Sequence, residues 1–369
     1  MRGEPNRQET MLSLWTPEQR VPADHPIRKI KALADRELKR LSPVFDAMYS
    51  TTGRPSVPPE RVLKALLLMA LYSVRSERQL CEQLDYNLLF RWFLDMNQIE
   101  EGFDATVFSK NRQRLLEHEV GKLFFDGVIK TAQGGGLISA DHFTVDSTLI
   151  EAWASLKSFR RKDTSERDRD RDDPGNATVN FHGEKRSNET HQSTTDPESR
   201  LYRKGPGKEA KLYFGGHALM ENRHGLLLDI SVTAADTKSQ WEAAEQMLRR
   251  QAKKRRLPRT LGGDKGYDTK GFVGMLQKRQ IAPHIAANDK RRGGSAVSKQ
   301  IRKRKGYAIS QRVRKRIEEI FGWMKTIGGL RKTRHKGRAR TQLAAQIVGT
   351  AYNLLRIAKL KPGLEMVGG

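Results

Sequence analysis

The sequence predicts a chain of mixed class, an α-helical N-terminal part followed by an α/β part, and three observations carry that expectation. Apolar residues recur at three- and four-residue spacing between residues 57 and 116. The pattern breaks at Gly134, Gly135 and Gly136, and the period becomes two. Beyond residue 210, short apolar runs alternate with helix-period segments.

In chain order, Val62, Leu63, Leu66, Leu67, Ala70 and Leu71 follow Pro58 and Pro59. Proline suits a helix start because its fixed φ is already helical and its missing N–H has no partner there. Ser76 with Gln79 is a capping-box pattern that opens a short helix, and Thr106 starts another carrying Lys110, Arg112 and Arg114. Two readings stay open. These cations lie on the recognition helix of a helix-turn-helix, or on the solvated basic face of an ordinary bundle.

Residues 142–147 (HFTVDS) alternate apolar and polar as a strand does, and residues 211–221 and 226–233 form a hairpin turned by Asn222 to Gly225. A helix at 241–256, a short strand at 260–264, a helix at 269–279 and a strand at 281–286 follow. An amphipathic helix at 310–326 and a last helix at 341–358 close the order; the last packs Leu343, Ile347, Ala351, Leu354 and Leu355 on the core. Residues 157–210 interrupt the order with few aliphatic residues, an alternating charge run at 166–173 and much Ser, Thr, Asn and Gly, which cannot build a core. This stretch is either a solvated insertion or a DNA contact through Arg200, Arg203, Lys204 and Lys208. The expected division is a helical DNA-binding domain at 1–134, a catalytic domain at 135–335 with the insertion 157–210, and a C-terminal helix and tail at 336–369.

The 69 Lys plus Arg against 43 Asp plus Glu leave a net charge of +26, which calls for a polyanionic partner. An apolar run around Leu66 to Tyr72 is far short of the roughly 20 residues that span a bilayer, so no membrane is expected. The single Cys81 allows no internal disulfide and the start MRGEPNRQET has no apolar signal core, which places the protein in a reducing cytoplasm. Residues 288–340 hold 19 Lys or Arg against 3 acids, a density that repels itself unless an anion neutralises it. Within it Arg302, Lys303, Arg304 and Lys305 form a run expected to track DNA phosphates.

Three carboxylates fall at ends of the expected elements: Asp146, Asp264 and Glu318. Their hard oxygens suit magnesium or manganese, and two such ions about 4 Å apart serve in-line displacement at a phosphate. Any one of them alone reads more naturally as a surface residue or cap. On a continuous helix over 310–326, Gln311, Arg314, Glu318 and Lys325 fall within roughly 60° of one another. They border an apolar stripe of Ile309, Val313, Ile317, Ile320, Phe321 and Met324. Glu319 lies about 100° further round, so Glu318 is the expected third acid, with Arg314 and Lys325 placed for phosphate. A salt-bridged structural helix is the alternative. Trp323 lies off both rows and is expected to pack on a neighbouring domain, and His217 and His224 are expected to be structural or solvated.

These residues resemble the transposases of the insertion sequence 5 family, members of the DDE group. The likeness rests on Asp146 in TVDST, Asp264 in GGDKGYD, and Arg314, Glu318 and Lys325 in RKRIEEIFGWMK, with further similarity in TDPESRLYRKG and in the helical part. The chain departs at Gln311, where the family pattern has Tyr. The resemblance implies a ribonuclease-H-like catalytic fold and an active site using two Mg2+, with Mn2+ as a substitute. It implies cleavage at transposon ends and transfer of the freed 3′ hydroxyl to target double-stranded DNA, by a homodimer or larger assembly. A nuclease of the same fold without joining activity and a non-catalytic DNA-binding protein are the alternatives.

Overall fold

The computed structural model describes residues 16–360 apart from 51, 54–55, 98, 164–185 and 206. The alternating charge run at 166–173 therefore lies outside the described residues.

The first part is helical: α1 (Pro17–Arg20), α2 (Pro26–Arg40), α3 (Ser42–Met48), α4 (Pro59–Leu71), α5 (Glu77–Tyr86), α6 (Leu88–Phe93), α7 (Thr106–Glu117) and α8 (Val120–Gly134). Helix α4 begins at Pro59 and buries Val62, Leu63, Leu67 and Ala70 of the expected row, with Leu66 and Leu71 half-buried and Leu68 buried beside them. The Ser76 hydroxyl caps α5 by accepting from the Gln79 N–H at 3.0 Å, while the Gln79 side chain takes the Arg75 N–H, one residue before the expected partner. Helix α7 starts at Thr106, as expected, and the Asp104 carboxylate just before it accepts the Thr106 N–H at 2.8 Å.

The strands are β1 (His142–Glu151), β2 (Phe159–Arg161), β3 (His191–Ser193), β4 (Arg200–Arg203), β5 (Ala210–Glu221), β6 (Leu226–Ala234), β7 (Thr260–Gly263) and β8 (Ala282–Ile285). The remaining helices are α9 (Ser239–Lys253), α10 (Lys270–Lys278), α11 (Lys299–Arg302), α12 (Lys305–Val313), α13 (Ile317–Thr326) and α14 (Arg338–Leu360). The main sheet is mixed. β1 lies at its centre, antiparallel to β5 on one side and parallel to β7 on the other, with β8 parallel beyond β7. β6 pairs with β5 from Phe214 onward and β4 with its first residues, both along one edge. Gly225 turns the β5–β6 hairpin at φ +70°, a conformation open to glycine without steric penalty.

Strand β1 runs four residues past the expected end because β5 pairs with it as far as Glu151, a long-range partner that local alternation does not reveal. The described residues of 157–210 include regular structure that their composition does not suggest. β2 and β3 form a two-stranded ribbon in which Phe159 stacks on His191, with ring centroids 5.5 Å apart, and β4 joins the main sheet. Side-chain hydrogen bonds stand in for apolar burial here: the Asn188 amide accepts from the Leu201 N–H and donates to the Leu201 carbonyl.

The expected continuous helix at 310–326 is instead two helices, α12 and α13, joined by a 3-10 turn over Arg314–Arg316. The Asn222 amide in the hairpin turn donates to the Val313 carbonyl at 3.1 Å, and Arg316 donates to the Asn222 carbonyl at 2.7 Å. A tertiary contact thus claims a helix carbonyl, and the Ile317 N–H bonds back to Arg314, three residues earlier.

Helix α14 lies between β6 and the helices α8, α4 and α2, and one apolar cluster runs through both parts of the chain. Leu343, Ile347, Ala351 and Leu354 are buried as their spacing predicts, and Leu355 is half-buried. The same helix closes the edge of β6. Asn353 exchanges hydrogen bonds with the Leu227 backbone, and Gln342 accepts from Val232 and donates to Ile230, so the unpaired strand edge is satisfied by side chains. No helix among the described residues is long and apolar enough to cross a membrane.

Candidate active site

Asp146 and Asp264 reach one place through strand register. β1 and β7 are parallel, with Thr144 opposite Gly262, and each aspartate lies two residues beyond that pair. Side chains on a strand alternate, so residues two apart share a face, and neighbouring strands stand about 4.8 Å apart. The Asp146 carboxylate accepts the Ser147 N–H at 2.7 Å, and the Asp264 carboxylate accepts the Gly266 N–H at 2.9 Å, opening a 3-10 turn over Lys265–Tyr267. Burial pushes the Asp146 carboxyl up to about 6; the charges of Asp264 and Glu318 push it the same way, against the Ser147 N–H and the Arg314 guanidinium.

Glu318 stands in the first turn of α13, exposed, on a helix packed against β1. Its charge reaches Asp146, whereas that of Glu319 falls on Tyr352 of α14. Arg314 in the 3-10 turn also acts on Asp146, and its Nε is buried with no hydrogen-bond partner among the described residues. The break between α12 and α13 separates Gln311 from Glu318 and Lys325, which stay together on α13. Gln311 donates to the His284 carbonyl at 2.7 Å and so ties α12 to β8. Lys325 is half-buried beside Lys204 and Arg331, and burial followed by these two charges lowers its pKa. Trp323 packs edge-on against Tyr352, as its position off both rows suggests.

Tyr267 is a residue that sequence reasoning passed over. It is fully buried three residues after Asp264, and burial together with the charges of Asp146 and Asp264 outweighs the opposing Ser147 side chain and keeps the phenol protonated. Its signal lay in the spacing of GGDKGYD, since one 3-10 turn returns a side chain to the face of the residue three before it.

The other cations divide by environment. Lys110, Arg203, Lys204, Lys303, Arg304 and Lys305 are exposed. Arg112 instead pairs with Glu77 of α5, and Arg114 lies over the Tyr49 ring at 5.0 Å. Arg302 is bound to Asp289 at 2.8 and 3.0 Å, unlike the exposed Lys303, Arg304 and Lys305 of the same run.

Among the described residues, no three His, Cys, Asp or Glu side chains are gathered closely enough to hold a metal ion as they stand. The donor set of Asp146, Asp264 and Glu318 nevertheless fits a hard divalent cation: all three are oxygen donors, and their mutual repulsion at Asp146 is what such a charge would relieve.

Residues 15–114 match the family described as Transposase domain (DUF772), and residues 179–354 match the Transposase DDE domain. Both matched segments are thus similar to transposase domains. The DDE-domain match takes in Asp264, Glu318 and α13 but begins after β1, so Asp146 precedes it. Among solved structures, a piggyBac transposase synaptic complex with hairpin DNA is 11% identical over 93% of this chain and 77% of that one, with a TM-score of 0.41. A Mos1 transposase paired-end complex with the left transposon end is 10% identical over 64% of this chain and 61% of that one, with a TM-score of 0.20. A Mos1 mariner paired-end complex with Mn is 13% identical over 68% and 65%, also at 0.20. Likenesses this distant carry no argument about activity. No curated relative matches the chain.

Proposed function

We propose that the chain is a DNA transposase of the DDE type, similar to the insertion sequence 5 family, with a ribonuclease-H-like catalytic part that cuts transposon ends and joins them to target DNA. What supports this reading is the pairing of β1 with β7, since Asp146 and Asp264 each lie two residues beyond the pair Thr144 and Gly262 and Glu318 is on a helix packed against β1, in a chain whose residues 179–354 match the Transposase DDE domain.

Asp146, Asp264 and Glu318 would hold the divalent ions, Mg2+ or Mn2+. When bound, such ions activate the attacking oxygen and stabilise the leaving oxygen of an in-line displacement. The protein's own groups supply orientation. The Ser147 and Gly266 N–H groups fix one oxygen of each aspartate, leaving the other free to point into the cleft. Arg314, with an unpartnered guanidinium nitrogen beside Asp146, is placed to draw in a phosphate oxygen and offset the charge of the acids. Lys325, Lys204 and Arg331 form a second cationic group for the phosphate backbone. Two ends must be held for transposition, so a dimer or larger assembly on DNA is the working form.

The test starts from the inverted repeats flanking the gene. Duplexes carrying those ends are incubated with the protein and Mg2+ or Mn2+ and scored for cleavage, and precut ends are scored for joining to a plasmid. Cleavage and joining support the reading. Cleavage without joining leaves a nuclease, and neither reaction with either ion overturns the proposal.

A further inference from the structure

The segment GGDKGYD holds a second aspartate, Asp268, four residues after Asp264. It is 1% exposed, and both of its carboxylate oxygens are engaged: one accepts the Asn288 N–H at 2.7 Å, the other the Ala296 N–H at 2.9 Å. Its own carbonyl accepts from Arg291 Nη1 at 2.7 Å. Asp268 thus grips both feet of the loop 288–296 and one side chain at its tip, with no oxygen left over for a metal ion. A fourth tie comes from Asp289, which Arg302 of α11 holds with two hydrogen bonds. Gly293 and Gly294 turn the loop back at φ +89° and +71°.

A loop fixed at four points presents consecutive exposed cations, Lys290, Arg291 and Arg292. Neither Lys290 nor Arg292 forms an ion pair among the described residues. Adjacent like charges held in place repel one another until an anion neutralises them. The 3-10 turn Lys265–Tyr267 joins Asp268 to Asp264, so the loop's position is set relative to the acid.

We propose that the loop 288–296 is an arm that binds the phosphates of duplex DNA, and that Asp268 is a positioning residue that sets this arm beside Asp264. The inference rests on the transposase reading for the identity of the polyanion. A carboxylate offers two acceptors to the two N–H groups, whereas an Asn side chain offers one acceptor and turns a donor on the other. Asp268→Asn therefore releases one foot of the loop while nearly preserving volume.

The test is a salt titration of binding by the full chain to a duplex in Ca2+, for wild type, Lys290→Gln/Arg292→Gln, Asp268→Asn and the triple variant, each checked for fold by circular dichroism. Each phosphate contact contributes roughly 0.9 to the negative slope of log affinity on log salt, so the arm variant is expected to flatten the slope by about 2. Asp268→Asn should flatten it too, and added to the arm variant it should change it no further, which a merely structural role would not produce. An unchanged slope in the arm variant overturns the proposal even if Asp268→Asn fails to fold. Full additivity of Asp268→Asn overturns the positioning role. Wild type that binds no duplex overturns the transposase reading and the arm with it, an outcome distinct from wild type that binds while the arm variant keeps its slope.

Discussion

Asp146 on β1 and Asp264 at the end of β7 stand level on adjacent parallel strands, each two residues past the pair Thr144 and Gly262. Their spacing is a property of the sheet, and it sets up the first prediction. Asp146→Asn, Asp264→Asn and Glu318→Gln each remove an anionic oxygen at nearly constant volume, so each should bring cleavage to background while duplex binding in Ca2+ stays within about twofold of wild type. Glu319→Gln should cleave normally, because the Glu319 charge falls on Tyr352. A dead Glu319→Gln beside an active Glu318→Gln would reverse the assignment.

The basic run after α11 gives the second prediction. Lys303, Arg304 and Lys305 are exposed, whereas Arg302 is spent on Asp289. Replacing the three by Gln should flatten the salt slope of duplex binding by up to about 2.7, roughly 0.9 for each, and Arg302→Gln should add little. Discrimination between transposon ends and random duplex should survive, since phosphate contacts position and base contacts specify. Equal loss of slope from all four residues in gel-shift titrations would show that the Asp289 pair opens on DNA.

The third prediction concerns α14. Truncation after residue 337 removes Leu343, Ile347, Leu354 and Ile357, which fill the space between β6 and the N-terminal helices. Full burial of such side chains is worth about 1.5–3 kcal/mol each, so four of them rival the whole stability of a domain, about 5–15 kcal/mol. The truncated chain should lack a cooperative thermal transition. For the same reason a fragment ending at Gly134 should expose the apolar faces of α8 and α4 and aggregate, which light scattering would report.

The fourth prediction is a pH dependence of stability. Burial holds the His217 imidazole down to about 4 against an ordinary value of about 6.5, the nearby Asp236 charge opposing only in part. Its folded pKa is depressed, so the unfolded chain binds the proton first. The stability is whole above pH 6.5 and is lost as pH falls toward 4. Between pH 6.5 and 5 this one group should lower the unfolding free energy by about 2 kcal/mol. Urea denaturation of wild type and His217→Gln should show a smaller loss over that range in the variant; parallel curves would mean that His217 is not the group titrating.

Local sequence determined a good deal of this protein. Helix α4, the hairpin turned at Gly225, the order of short strands and helices after it, and the apolar row of α14 were all legible, because period and turn chemistry act within a few residues. The charge excess and the carboxylates at element ends were legible for the same reason.

Tertiary structure alone decided the rest. Asn222 takes the Val313 carbonyl and splits one expected helix into α12 and α13, which leaves Gln311 tied to β8 while Glu318 and Lys325 stay on α13. Arg112, Arg114 and Arg302 look alike in sequence to the exposed Lys303, but Glu77, Tyr49 and Asp289 occupy them. Asp268 reads as one more acid near Asp264 until the fold brings Asn288 and Ala296 to its two oxygens. Each of these outcomes turns on a hydrogen bond or ion pair between residues distant in the chain, and a period of two or 3.6 residues carries no information about such partners.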